Sequence, residues 1–314
     1  MTEAEVTQAV ADAEPYSCPL TPVDFGDFLT RPLKPRELLL APVIPAAGLA
    51  MLYAPRGIGK TYLALSMAYA VACGSECLGF KASKPRRVLY LDGEMPAVSL
   101  QERLKCISAG VGRLPEPGYF QLIAGDMLSE AIPDLSDTDS WDRLMPHFAA
   151  FDLIVMDNLS TLCRSGRENE ADSWAMMQEG LLSLRRAGKS VLMVHHAGKG
   201  GGQRGTSKRE DVLDTVLCLK RPPDYRPSEG ARFELHIEKA RGFYGEGAEP
   251  LGVQMTLQAG QLSWSYEPLV DELFQQACNL FKRGLSVRDT AQQLEISPAK
   301  AGRYRKRWQE AGAE

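Results

Sequence analysis

From Gly48 to Glu210 the chain alternates short apolar runs with longer amphipathic stretches. The runs LAMLYA (49–54), RVLYLD (87–92), YFQLIA (119–124), LIVMD (153–157) and SVLMVHH (190–196) predict strands. The stretches at 60–73, 96–109, 139–150 and 171–187 predict helices, the first and last ending at Gly74 and Gly188. Near-continuous apolar strands separated by helices predict an α/β fold, a mostly parallel sheet with helices on both faces. After residue 210 the rhythm changes to strands without helices: VLCLK (216–220), RFELHIEKAR (232–241), VQMTL (253–257) and LSWSY (262–266). These predict an antiparallel C-terminal part of the sheet, with Ala259-Gly260 as a hairpin turn. Three segments follow: a weakly periodic, proline-containing arm at 1–36, the α/β core at 37–266, and a helical, basic C-terminal domain at 267–314.

An apolar fraction of 44% in 314 residues excludes global disorder and allows a large core. The longest mainly apolar run, Tyr62 to Cys73, is shorter than the roughly 20 residues a bilayer span needs. The first residues, MTEAEVTQAV, are acidic and lack the pattern of a secretion signal. Seven cysteines are scattered without a CxxC pair, and the four histidines make no zinc spacing with them. Reduced thiols, no membrane contact and a cytoplasmic location are therefore expected. The net charge of −4 hides an asymmetry, because residues 282–307 hold eight lysines and arginines against only Asp289 and Glu295. A basic end on an acidic body predicts a polyanion contact by the tail.

Candidate chemistry begins at Ala54-Pro55-Arg56-Gly57-Ile58-Gly59-Lys60-Thr61, followed by Tyr62, which fits a P-loop except that its first glycine is Ala54. It stands between an apolar strand and a helix, where successive backbone N–H groups can point at phosphate oxygens. Lys60 would reach the β- and γ-phosphates and Thr61 would hold Mg²⁺. Hydrolysis also needs a held metal and an oriented water. Asp157, ending LIVMD, is the candidate Walker B metal carboxylate. Glu94 in YLDGEM, with Asp92 two residues earlier, is the candidate to polarise the attacking water.

His195 and His196 end a strand, so their side chains alternate in direction and one belongs to the core. The other can touch a γ-phosphate and pass its loss to the following loop. In that loop five of the eight residues Gly198 to Gly205 are glycine. With Lys199, Arg204, Lys208 and Arg209 it reads either as a nucleic-acid contact or as a solvated surface loop. Lys239 and Arg241 share a strand face and could neutralise transition-state charge in a neighbouring subunit, the alternative being an ordinary basic strand end. In the tail, LSVRDTAQQLEISPAKAGRYRKRW predicts a helix–turn–helix. Ser286 caps a helix through Leu294, and Ser297 caps a second that begins at Pro298. Leu285, Ala291, Leu294 and Ile296 are its expected apolar core, and Lys300, Arg303, Arg305, Lys306 and Arg307 its expected phosphate contacts.

The order PRGIGKT, LYLDGEM, LIVMDNLS, VLMVHHAGKGGGQRGTS and EKARG resembles the RecA-like ATPases. It is most similar to the RepA-type plasmid replicative helicases and their phage and mobile-element relatives in the DnaB-like superfamily. The resemblance covers about residues 37–266. It implies ATP and Mg²⁺ as ligands and a homo-hexameric ring with sites between subunits. Single-stranded DNA would occupy the central channel, and a replication or mobile-element protein is a possible partner. Residue by residue, it implies nucleotide and metal binding at Gly59, Lys60 and Thr61, the base at Glu94 and Walker B at Asp157. It also implies the γ-phosphate sensor at His196, fingers at Lys239 and Arg241, and a DNA-facing Arg204. A ring helicase is the first expectation. An ATP-dependent switch or loader that recruits a partner, or a DNA-binding regulator set by nucleotide, are the others.

Overall fold

The computed structural model describes residues 22–164, 171–198, 210–269 and 272–310. The chain divides at Arg36 into two compact units. In the first, a short helix spans Phe25–Thr30, capped by Asp24, whose carboxylate accepts from the Gly26 N–H at 2.8 Å.

The second unit is built on one sheet. Its strands are β1 (Leu49–Ala54), β2 (Val88–Asp92), β3 (Phe120–Ala124), β4 (Leu153–Asp157) and β5 (Ser190–His196), followed by β6 (Thr215–Lys220), β7 (Arg232–Ala240), β8 (Leu251–Gln258) and β9 (Gln261–Pro268). Among the described residues these nine form a single sheet of order β9-β8-β7-β6-β1-β5-β4-β2-β3. From β6 to β3 every pairing is parallel, and β7, β8 and β9 join antiparallel. The helices are α1 (Lys60–Cys73), α2 (Ala97–Val111), α3 (Thr138–Phe148), α4 (Leu159–Leu162) and α5 (Ala171–Arg186). Among the described residues none is long and apolar enough to cross a membrane.

Two buried clusters cover the two faces. Along β1, Ala50, Leu52 and Ala54 face α1 and α2, while Leu49, Met51 and Tyr53 face α3 and α5. Helix α1 is buried on nearly all sides, from Leu63 to Cys73, which explains its lack of a polar stripe. The sheet covers one side of it, residues 39–44 and 77–82 pack on another, and the β8–β9 hairpin curls back to reach it through Trp264. The Trp264 Nε1–H donates to the Ser66 hydroxyl of α1 at 2.9 Å. The same curl presses β9 onto α2, so that a side chain at Gly110 would stand 1.8 Å from the Leu262 carbonyl oxygen. The hairpin turns at Ala259 and Gly260, both left-handed at φ 49° and 78°.

Three further helices follow: α6 (Glu272–Lys282), α7 (Val287–Gln293) and α8 (Pro298–Glu310). The Ser286 and Ser297 hydroxyls accept from the N–H groups of Asp289 and Lys300, each at 3.2 Å. Their small core differs from the expectation: it centres on Ala277, Phe281 and Tyr304, with Leu294, Ile296 and Trp308 packed against it. Ala291 is buried, but Leu285 is only half-buried and stands outside the cluster. The reason is that α6 brings its own aromatic face, which supplies the bulk that a two-helix unit lacks.

The basic side chains of α8 are also divided. Arg305 lies over the Trp308 and Phe281 rings at 4.7 and 5.0 Å, and Lys300 over Tyr304 at 5.6 Å. Arg307 lies over Phe274 at 4.1 Å and pairs with Glu249 at 3.4 Å. Arg303 and Lys306 stand exposed. Cations over aromatic faces gain attraction and cover apolar surface, so part of the basic run serves packing.

Candidate functional site

The P-loop connects β1 to α1 and turns on left-handed glycines, Gly57 at φ 72° and Gly59 at φ 115°. At Gly59 the backbone angle disfavours any side chain, and a Cβ there would also press against the Ala231 Cβ at 3.2 Å. Ile58 is fully buried and pins the loop to the core. Just past the end of β6, the Arg221 guanidinium donates to the Gly57 carbonyl at 3.0 Å and stacks 3.7 Å over the Tyr225 ring. The loop opens on a cleft of about 340 Å³ lined by Lys60, Thr61, Glu94, Arg103, His196 and Met255, among others. Arg103 lies 4.3 Å over the ring of Tyr62.

The parallel register carries acidic groups to the same end of the sheet, because Asp92 of β2 is paired with Asp157 of β4. Asp157 is 2% exposed and accepts from the Tyr90 hydroxyl at 2.7 Å. Burial pushes its carboxyl above the usual range, opposed by hydrogen bonds from Tyr90 and Thr61 and by the Lys60 charge. Lys60 is depressed below the usual lysine range by burial, against the attraction of Asp157 and Glu94. Asp92 is fully buried, and one of its oxygens accepts from the N–H groups of Glu94 and Met95 at 2.9 and 2.6 Å. Burial pushes it up to about 6, with those two bonds opposing.

Glu94 follows this turn and remains half exposed at the cleft. Its carboxylate accepts from the Asn158 amide and lies 3.8 Å from His196 Nε2. Asn158 is buried, and its side-chain oxygen accepts from Ser160 and Thr161 N–H at 2.9 and 3.3 Å, capping α4. His196 Nδ1 lies 3.2 Å from Lys60 Nζ. An ammonium has no acceptor, so Nδ1 accepts from Lys60, while Nε2 faces the Asn158 amide nitrogen at 3.4 Å and the Glu94 carboxylate at 3.8 Å. Lys60, His196 and Glu94 thus form a chain from the phosphate loop to the water-facing carboxylate.

Of the expected site residues, the structure brings Lys60, Thr61, Glu94, Asp157 and His196 together. His195 points to the other face and is fully buried. Lys239 and Arg241 are not in the cleft: Lys239 donates to the Glu210 carbonyl and Arg241 to that of Asp211 at 2.6 Å. Lys199, Arg204, Lys208 and Arg209 lie outside the described residues. Sequence reasoning missed Tyr90, Asn158, Arg103 and Arg221. Asn158 carried a signal, an Asn at the head of NLST, a helix-capping pattern. The other three meet the site only across strands or helices.

The donor set suits Mg²⁺. Asp157 and Thr61 offer hard oxygens, and among the described residues no three His, Cys, Asp or Glu side chains form a closed cage. A magnesium ion prefers such an open arrangement, completed by water and substrate phosphates. When bound, it would supply charge neutralisation at the phosphates.

A family model described as an AAA domain matches residues 14–202. Among solved structures, a KaiC-like protein from Pyrococcus horikoshii is similar at 15% identity and a TM-score of 0.48, over 72% of this chain and 93% of that one. The flagellar accessory protein FlaH from Methanocaldococcus jannaschii is similar at 14% identity and a TM-score of 0.47, over 72% and 92%. Because the family match spans more than half of the sequence and falls on a phosphate loop built as described, the chain belongs to the AAA domain family and is a P-loop ATPase.

Proposed function

We propose that the protein is an ATP-hydrolysing, DNA-binding ring motor of the replicative-helicase type, serving a plasmid, phage or other mobile element. The observation that carries the motor reading is the Lys60–His196–Glu94 chain. His196 ends β5, and the Ala197 N–H donates to the Ala54 carbonyl at 2.9 Å, so the strand that enters the glycine-rich basic loop is tied to the P-loop's first residue. Loss of a γ-phosphate at Lys60 would therefore be felt where that loop begins.

In this reading Lys60 holds the β- and γ-phosphates, and the P-loop N–H groups, with Arg56 and Tyr62 beside them, line the nucleotide site. Thr61 and Asp157 hold Mg²⁺, and Glu94 accepts a proton from the attacking water. Lys239 and Arg241 serve the adjacent site of a hexamer. Lys199, Arg204, Lys208 and Arg209 contact single-stranded DNA. The exposed Arg303, Lys306 and Arg307 favour a duplex contact by the C-terminal helix–turn–helix, with Lys300 and Arg305 contributing charge from more packed positions.

That appended basic unit also favours a second reading, an ATP-dependent switch or loader that recruits a partner without unwinding. Strand displacement on forked DNA with ATP, paired with the mass of the assembly, separates the two. A motor gives displaced strand and a hexamer; ATP-dependent DNA binding without displacement selects the switch. A monomer with full ATPase activity under every nucleotide and DNA condition would reject both shared-site schemes.

A further inference from the structure

Asp92 is a costly residue in its position. Its Oδ1 accepts both N–H groups of the turn that carries Glu94, at 2.9 and 2.6 Å. Its Oδ2 is buried and meets no hydrogen-bond donor among the described residues. Asparagine or serine could accept those N–H bonds without burying a carboxylate, and a buried acceptor left unsatisfied costs about 1–3 kcal/mol, more when charged. The turn alone therefore does not account for aspartate. The residue stands in a particular place. Asp92 ends its strand in register with Asp157, the Gly93 N–H donates to the Asp157 carbonyl at 2.8 Å, and Thr61 bonds the Asp157 carboxylate.

We propose that Asp92 is a positioning residue with two separable tasks. One oxygen folds the turn that presents Glu94, and the other receives a water of the divalent cation held at Thr61 and Asp157. Carboxylates that bind metal-bound water orient the ion without touching it, and their loss costs about 10–100-fold in metal affinity. Next to a strand-end carboxylate and a hydroxyl, such a group raises the number of oxygens available to the hydrated ion while leaving the cleft open to phosphates.

The inference rests on the metal assignment of Asp157, so Asp157→Asn is the control. The measurement is binding of a fluorescent ATP analogue to the full chain as Mg²⁺ is titrated, alongside turnover. Asp92→Asn keeps the turn acceptor and removes the charge. It should bind the analogue as wild type without Mg²⁺, yet need about 10-fold more Mg²⁺ for the metal-dependent gain. Asp92→Ser should behave alike, and melting curves report whether either variant is folded. Asp92→Ala, which also loses the turn, should in addition lower kcat, with serine restoring that part. An unchanged Mg²⁺ midpoint in a folded Asp92→Asn overturns the proposal when Asp157→Asn shifts the midpoint. If Asp157→Asn leaves it unmoved as well, the metal assignment itself falls.

Discussion

Asn158 holds the site together from below, and its removal has a cost that can be worked out. Its oxygen caps α4 through two N–H bonds of 2.9 and 3.3 Å, and its amide donates to Glu94. A lost cap costs about 1 kcal/mol. The amide–carboxylate bond adds about 1 kcal/mol, the lower end for charged hydrogen bonds, because Glu94 is half exposed. Asn158→Ala should therefore lose about 2 kcal/mol in urea unfolding. Freed from the amide, the Glu94 carboxylate should wander, and a misplacement of about 1 Å can cost up to 100-fold in turnover. The KM for ATP should hold, since Asn158 does not line the cleft. Asn158→Asp keeps the cap but sets a second carboxylate against Glu94. Like charges about 4 Å apart repel by about 4 kcal/mol at an effective dielectric of 20. This variant should then be less stable than Asn158→Ala at pH 7 and recover as the pH falls toward the carboxylate range. An alanine variant with wild-type kcat, or an aspartate variant as stable as wild type at pH 7, would refute the reasoning.

Other expectations are more local. Burial pushes the Cys77 thiol up to about 12 and the Cys218 thiol up to about 11. Both stay protonated below those values, and at pH 8 the thiolate fraction of Cys218 is about one in a thousand. Iodoacetamide on the native protein at pH 8 should spare both while labelling them after denaturation, and native labelling at the denatured rate would contradict their burial. Gly180 lies against Trp141, where an added Cβ would stand 2.2 Å from the ring. Gly180→Ala should cost about 3 kcal/mol, the upper end for overpacking. That corresponds to a Tm lowered by about 4–5 °C, measurable by calorimetry. Arg241→Ala should lower turnover by about 10³-fold or more if it acts as a finger in a neighbouring site. Mixing it with Lys60→Ala subunits should restore part of the activity, and no restoration at any ratio points away from shared sites.

Much of this molecule is decided along the chain. Strands such as Leu49–Ala54 and Ser190–His196 are buried throughout and run nearly continuously apolar, so their periodicity and their place in a parallel sheet follow from local sequence. The phosphate loop is equally local: two left-handed glycines, a lysine and a threonine within one turn need no distant partner to be recognised. Glu94 and Asp157 were legible as carboxylates at strand ends. What the chain alone did not decide is which side chains meet across strands. Tyr90 on Asp157, Asn158 on Glu94 and Arg221 on the P-loop carbonyl depend on the register of separate elements, and register is a property of the assembled sheet. The all-round burial of α1 has the same origin, since the elements packed around it, from residues 39–44 to Trp264 of β9, come from distant parts of the chain. In the C-terminal unit, composition gives the charge, but only packing separates arginines laid over aromatic rings from those turned to solvent.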